Sequence, residues 1–356
     1  MAVRACARGA GAMKWRLLPA ARFDAIGAHW AALHRAGPAA PMLAPAFVAA
    51  LLTEFGGGGE LLALCEDGDG PCASAVLAPR GLGRWASFQP AQAPLGLWLQ
   101  RPGLDCGALL ARLAGALPGF PLQIGLSQCD PLLLPRAADG GRTRSLDYID
   151  TAHIPVGGSF DDYWLGRGKN LRANLRKQRA RLGAEGVATR LEVAQAPQEM
   201  AAAVADYGRL ESSGWKARDG TAVAADNAQG RFYTRMLEAM AAIGAARVYR
   251  YRFGERLVAM DLCILERDTI VILKTAYDES VASRPSSGLS PALLMREEAC
   301  RALFGEGRFA RIEFYGRVMD WHTRWTDQVR TLYHLNHYRW PALARLHARA
   351  TTRNGA

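Results

Sequence analysis

The sequence predicts an α/β protein of the α+β kind: a mixed, mostly antiparallel sheet flanked by helices, divided between two domains. Three observations carry this. The chain has 356 residues, and at roughly 150 residues per domain that length asks for two. Helical and strand-like periodicities alternate along most of it. Late in the chain, three strand-like runs follow one another with turns short enough to enforce antiparallel pairing. Half the residues are hydrophobic and 22% are charged, a balance that excludes global disorder.

The elements follow in order. Met1 to Lys14, rich in Ala, Gly and Arg, lacks the continuous apolar core of roughly 7–15 residues that a secretory signal carries. It is expected to be a disordered extension, with Met13 as an alternative start. Residues 15–150 read as an N-terminal domain, with helices at Ala25–Arg35 and Pro45–Phe55 and strands at Leu61–Cys65, Ala73–Ala78 and Leu122–Leu126. Gly56–Gly59 and Asp67–Gly70 supply turns. The glycine run is no phosphate loop, since neither Lys-Ser/Thr nor a dinucleotide-binding spacing follows it. Leu146–Ile149 is extended. Ala36–Thr53, the longest uncharged run, is broken by three prolines and falls short of the roughly 20 residues of a membrane helix. No transmembrane span and a cytoplasmic location are expected.

Residues 151–345 read as a second domain, with 346–356 as a flexible tail. Between Arg167 and Arg181 there are seven basic residues and no acidic one. Leu171, Leu175 and Leu182 recur at helical spacing beneath them, so the segment is an amphipathic helix with a cationic face. That face is either solvated or binds an anion, with Arg172 and Arg176 the residues to test. A strand at Ala188–Val193 and helices at Gln198–Ser212 and Phe232–Ile243 follow, with a turn at Gly220–Ala222 between the helices. The three close strands are Ala246–Arg252, Leu257–Leu265 and Thr269–Ala276. A Ser/Pro/Gly loop (Ser283–Ser290), a helix (Pro291–Phe304) and strands at Arg311–Tyr315 and Val329–Asn336 complete the domain.

A net charge of +11 suggests an anionic partner without choosing one. The seven cysteines are scattered, with no CxxC or Cys/His spacing, so reduced buried thiols and no metal are expected. A nucleic-acid binder is a further alternative, but helix-turn-helix, zinc and aromatic ribonucleoprotein signatures are missing, and no stable nucleic-acid complex is expected.

The order of elements from Arg167 onward resembles the GNAT acyltransferase fold. Five segments go further: KNLRANLRKQRARL (169–182), LESSGWKARDGTA (210–222), GRFY (230–233), ILKTAYDE (272–279) and IEFYG (312–316). They are similar to the acetyltransferase branch found with bacterial cellulose and exopolysaccharide genes, the CelD-like proteins, relatives of the Fem-type aminoacyltransferases. The resemblance implies tandem GNAT-like domains, the first one degenerate. It also implies transfer of an acyl group, acetyl above all, from acyl-CoA to an amine or hydroxyl of a polysaccharide or cell-envelope precursor, by direct attack in a ternary complex and without metal. Fem-type members instead use aminoacyl-tRNA, which is the alternative donor.

By the same resemblance, coenzyme A would lie against Leu273, Lys274 and Thr275 of the fourth strand and the following loop: Arg284, Ser287, Gly288, Leu289 and Ser290. That loop is one residue longer than the usual Arg/Gln-x-x-Gly-x-Gly/Ala spacing. Ser290 as N-cap and Pro291 at the first helical position would aim amides at an anion. Candidate acids and bases are Glu211, Asp261, Glu313 and Tyr315. Asp261 is expected to face the cleft or to pair with a base such as Lys274, and Glu313 and Tyr315 to share one strand face. Trp215, Lys216, Tyr277, Asp278, His322 and Trp325 would contact the acceptor. Cys263 and Cys300 are expected to be packing residues.

Overall fold

The computed structural model describes residues 13–212, 223–282 and 288–353. Trp215, Lys216, Arg284, Ser287 and the turn at 220–222 lie outside these residues, as do residues 1–12 of the expected N-terminal extension.

The chain divides into two compact units, one formed by Met1–Tyr148 with Thr331–Ala356, the other by Ile149–Arg330. The C-terminal segment, expected to belong to the second domain, therefore clusters with the first. Strands β7 (Thr143–Pro155) and β13 (Val329–Tyr338) carry the chain across the boundary.

In the first unit, β1 (Lys14–Pro19), β2 (Leu61–Asp67), β3 (Gly70–Pro79), β4 (Arg84–Ser87), β6 (Gln123–Cys129) and β13 form a sheet in that order, with β5 (Trp98–Gln100) paired to β3. Only β4 and β6 run parallel among the pairs just named; β13 meets β6 antiparallel. Helices α1 (Gly27–Ala36), α2 (Pro45–Phe55) and α3 (Cys106–Ala116) flank it. Pro45 opens α2, where its missing N–H is no loss, and the Asp105 carboxylate caps α3 by accepting from the Ala108 amide. Of the expected tail, residues 346–353 continue helix α11 (Pro341–Arg353), whose Ala344 is fully buried.

The second unit contains α4 (Phe160–Leu165), α5 (Lys169–Ala184), β8 (Thr189–Ala194), α6 (Pro197–Ser212), α7 (Ala228–Ala241), β9 (Ala246–Phe253), β10 (Arg256–Glu266), β11 (Thr269–Tyr277), α8 (Glu279–Ala282), α9 (Pro291–Glu306), β12 (Arg311–Glu313) and α10 (Asp320–Thr323). Its sheet order is β7-β12-β11-β10-β9-β8, antiparallel except for the β11–β12 pair. Gly254 at φ 56° makes the tight turn from β9 to β10, a backbone region that suits glycine. Leu171, Leu175 and Leu182 of α5 and Leu294, Ala299 and Leu303 of α9 bury against Ile270, Ile272 and Cys263 of the sheet. The predicted strand through Tyr315 ends earlier. Tyr315 has φ 46°, so extended alternation stops at Glu313 and the two residues do not share a strand face.

Among the described residues, no helix is long and apolar enough to cross a membrane.

Candidate active site

The site starts from an irregularity in β11. Along the β10–β11 ladder, Lys274 pairs with Leu262 but Ile272 pairs with Cys263, so Leu273 is an extra residue. A bulge of this kind leaves a residue out of the pairing and reverses the alternation beyond it. Ile270 and Ile272 face α9. Past the bulge, that face passes to Thr275 and Tyr277, while Lys274 turns to the opposite face. There its ammonium lies 3.5 Å from the Glu211 carboxylate of α6 and 5.6 Å from the centre of the Tyr233 ring of α7.

On the α9 face, Asp261 of β10 stands opposite Thr275 and is completely buried. Its partner is not Lys274 but Arg296 of α9, itself only 3% exposed. Arg296 Nη1 lies 2.6 Å from Asp261 Oδ2 and Nη2 lies 3.1 Å from Oδ1. Thr275 Oγ1 donates to Asp261 Oδ1 at 2.6 Å and accepts from Arg296 Nη2 at 3.2 Å. A buried charge persists only when paired and hydrogen-bonded; here the hydrogen bonds converge on Asp261 Oδ1, and Oδ2 is held by the Arg296 charge without a hydrogen bond.

Above them opens a cavity of about 530 Å³, lined by Thr275, Tyr277 and Arg296, by the first turn of α9 (Ser290 to Leu293), and by Met319, Trp321 and Trp325. Its wall is mainly apolar. Trp325 is fully buried, its carbonyl accepting from Tyr163 Oη at 2.7 Å and from Arg167 at 3.0 Å. Trp321 stacks on His322 with ring centres 3.6 Å apart. His322 lies behind that wall, 4% exposed, with Nδ1 accepting from the Met319 amide. Burial lowers its pKa from 6.5 to about 4, the cationic Arg296 adding to the effect against the Met319 hydrogen bond. It is a neutral structural imidazole rather than a proton carrier near neutral pH.

The N-terminus of α9 only partly meets expectation. Ser290 is the N-cap and Pro291 the first helical residue, but the Ser290 side chain makes no capping bond. Its amide is not turned outward: it donates to Gln178 Oε1 of α5 at 2.7 Å, and the Leu293 amide bonds the Ser290 carbonyl. Gly288 has φ 52° and is exposed, and Leu289 is buried.

The predicted residues thus separate. Thr275, Tyr277, Ser290 and Trp325 line the cavity, Asp261 reaches it through Thr275 and Arg296, and Leu273 is the bulge beside it. Glu211 is held on the other face, accepting from the Val223 amide at 2.8 Å and pairing with Lys274. Glu313 is buried against Arg330 at 2.9 Å, and the same guanidinium covers the Tyr315 ring at 5.2 Å, so neither residue lines the cavity. Asp278 accepts from Arg256 and Ser280; burial opposes its charge, but these bonds outweigh it and hold the carboxyl below the usual range. Arg172 and Arg176 line a separate hollow of about 560 Å³ on α5 with Lys169 and Trp164. Trp321, which the sequence also offers as an acceptor-side aromatic, lines the cavity, whereas sequence reading missed Arg296. The available signal was one arginine amid the apolar Leu293, Leu294 and Met295 run of a helix that must pack on a sheet.

Among the described residues, no group of three or more His, Cys, Asp and Glu side chains could hold a metal ion. The cysteines there are free and buried; burial pushes the Cys300 thiol up to about 12 and raises Cys263 well above its usual value.

A sheet opened at a bulged strand, with a helix N-terminus facing the opening, defines the GNAT class of acyl-transfer folds. The chain belongs to the Acetyltransf_6 family, described as an acetyltransferase (GNAT) domain, which matches residues 169–350, just over half its length. No curated protein matches its sequence. Solved structures similar in fold include FemX, at 10% identity and a TM-score of 0.56 over 90% of this chain and 98% of that one. Another is the C-terminal DUF2156 domain of a protein assigned as a lysylphosphatidylglycerol synthetase from Agrobacterium fabrum, at 14% identity and a TM-score of 0.56 over 93% and 96%. L-PGS from Bacillus licheniformis matches at 12% identity and a TM-score of 0.52 over 92% and 96%.

Proposed function

We propose that this protein transfers an acyl group, acetyl in the simplest case, from acyl-CoA to an amine or hydroxyl of a polysaccharide or cell-envelope precursor. The observation that carries this reading is the cavity between the bulged strand β11 and the first turn of α9, in a chain of the GNAT acetyltransferase family. Its apolar wall and size suit the arm of an acyl-CoA, with Tyr277, Ser290, Ala292 and Leu293 as the residues that would hold it. When bound, acyl-CoA supplies an activated thioester.

The chain's own part is positioning and proton handling. A backbone amide at the Leu273 bulge is the candidate donor to negative charge developing on the acyl oxygen. Thr275, fixed by Asp261 and Arg296, would orient the attacking group and pass its proton toward Asp261. Buried, protonated cysteines argue against a covalent route through Cys263 or Cys300. The acceptor class rests on the CelD-like resemblance.

Calorimetric titration with acetyl-CoA and longer acyl-CoAs tests the donor. Saturable binding should be lost in Ala292→Phe, which fills the cavity. Absence of binding to every acyl-CoA by the folded protein would refute this donor. The cationic hollow on α5 favours one second reading, transfer from aminoacyl-tRNA. Activity with that donor, abolished by nuclease and strongly reduced by salt, would establish it.

A further inference from the structure

A different surface, in the first unit, presents apolar side chains to solvent among arginines. Leu82 is 97% exposed, Phe120 56% and Trp340 46%. They come from three separate segments that backbone hydrogen bonds tie together: the Leu122 amide bonds the Gly83 carbonyl at 2.6 Å, and the Arg339 amide bonds the Leu122 carbonyl at 2.9 Å. The Phe120 and Trp340 rings lie 5.9 Å apart, and the Arg339 guanidinium sits 3.8 Å over Phe120.

The backbone holds these tips outward. Leu82 stands between Gly81 and Gly83, both at positive φ, and a Cβ on Gly83 would meet Leu122 Cγ at 2.9 Å. Phe120 itself has φ 53°, an uncommon conformation for an aromatic residue. An exposed ring maintained at a strained position is a feature that folding alone does not require.

The charge on the segments that carry the tips has one sign. Residues 79–88, 116–124 and 337–349 contain Arg80, Arg84, Arg339, Arg345 and Arg349 and not one Asp or Glu. None of these arginines forms a salt bridge among the described residues. Helix α11 continues the surface directly after Trp340, with Leu346 60% exposed. Apolar and aromatic tips to insert at the boundary of a bilayer, ringed by arginines that meet lipid phosphates, match an anionic membrane surface. A nucleic-acid site would offer the cations without three protruding apolar side chains. A stable protein interface would bury a broader, flatter apolar face.

We infer that the Leu82–Phe120–Trp340 surface docks this protein peripherally on anionic phospholipid bilayers. Flotation of the full chain with vesicles tests this without any acyl donor, so its result stands apart from the proposed transfer reaction. Vesicles of phosphatidylcholine with phosphatidylglycerol should carry the protein, and pure phosphatidylcholine should carry much less. The triple variant Leu82→Ser, Phe120→Ser, Trp340→Ser should need at least about tenfold more lipid for half-binding. Arg84→Ser and Arg345→Ser should each weaken binding about fivefold, with an unchanged melting temperature. Failure to bind anionic vesicles, or undiminished binding by the folded triple variant, overturns the inference. So does a dimer seen by light scattering that the triple variant breaks, which would make the surface a contact with a second copy. Patch-dependent binding of an oligonucleotide in place of vesicles overturns it as well.

Discussion

Replacing Arg296 by Met tests the centre of the proposed site. In the native protein the Asp261 carboxylate is completely buried and faces a guanidinium 2.6 Å away, with Thr275 as its remaining side-chain partner. Met fills a similar volume but leaves a buried carboxylate with one hydroxyl donor. Breaking such a pair from one side costs about 3–5 kcal/mol. Asp261→Leu alone strands the guanidinium and should cost a similar amount. The double variant removes both charges and should recover much of the loss, giving a coupling energy of at least about 2 kcal/mol. Urea unfolding at neutral pH, followed by tryptophan fluorescence for the second unit, measures all three. A loss below about 1 kcal/mol in either single variant, or additive losses in the double, would show that the two charges do not depend on each other. Thr275→Val should be milder, about 1–2 kcal/mol, because it removes one hydrogen bond and leaves the ion pair.

Three further outcomes are expected. Because burial lowers the His322 pKa from 6.5 to about 4, the unfolded chain binds this proton first as pH falls. Its contribution is therefore full above pH 6.5 and lost toward pH 4, up to about 3 kcal/mol; the stability–pH slope over that range should flatten in His322→Gln, and identical slopes would exclude His322 as the cause. Gly230→Ala should destabilise by about 1–3 kcal/mol, since its Cβ would come 1.9 Å from the Ala224 carbonyl oxygen and force backbone to move; an unchanged melting curve would contradict that packing. Arg172→Glu with Arg176→Glu should weaken binding of an anionic substrate and shift stability by no more than about 0.5 kcal/mol, whereas unaltered kinetics would mean the face is merely solvated.

Local patterns made most elements readable. Helix α2 spans the predicted residues because a proline opens it and glycines close it, and the β9–β11 meander follows from short turns between apolar runs. What stayed hidden depends on pairing. Nothing in the run Ile272-Leu273-Lys274-Thr275 marks Leu273 as extra, since the bulge is a relation between two strands. Sequence proximity accordingly offers the cleft or a neighbouring-strand base such as Lys274 to Asp261, and not Arg296, which lies 35 residues further on. Glu313 and Tyr315 were joined by an alternation that the positive φ of Tyr315 breaks. Candidate acids picked by residue type proved to be ion-paired elsewhere, at Glu211 and Glu313, because a sequence shows charges but not their partners.

The Leu273 bulge also bears on how this site tolerates change. Beyond it, which side chain meets the cavity is decided by counting residues from one unpaired position, much as a reading frame assigns codons. Drawing Leu273 into the ladder opposite Leu262 would shift the frame, bringing Lys274 opposite Asp261 and presenting Lys274 and Ala276 where Thr275 and Tyr277 now stand. The cavity wall would become cationic and Asp261 would lose its hydroxyl partner, with no residue altered. Removing Leu273 altogether would instead close the bulge and leave Thr275 opposite Asp261, so the extra residue sets the side chains of the wall only through whether it is paired.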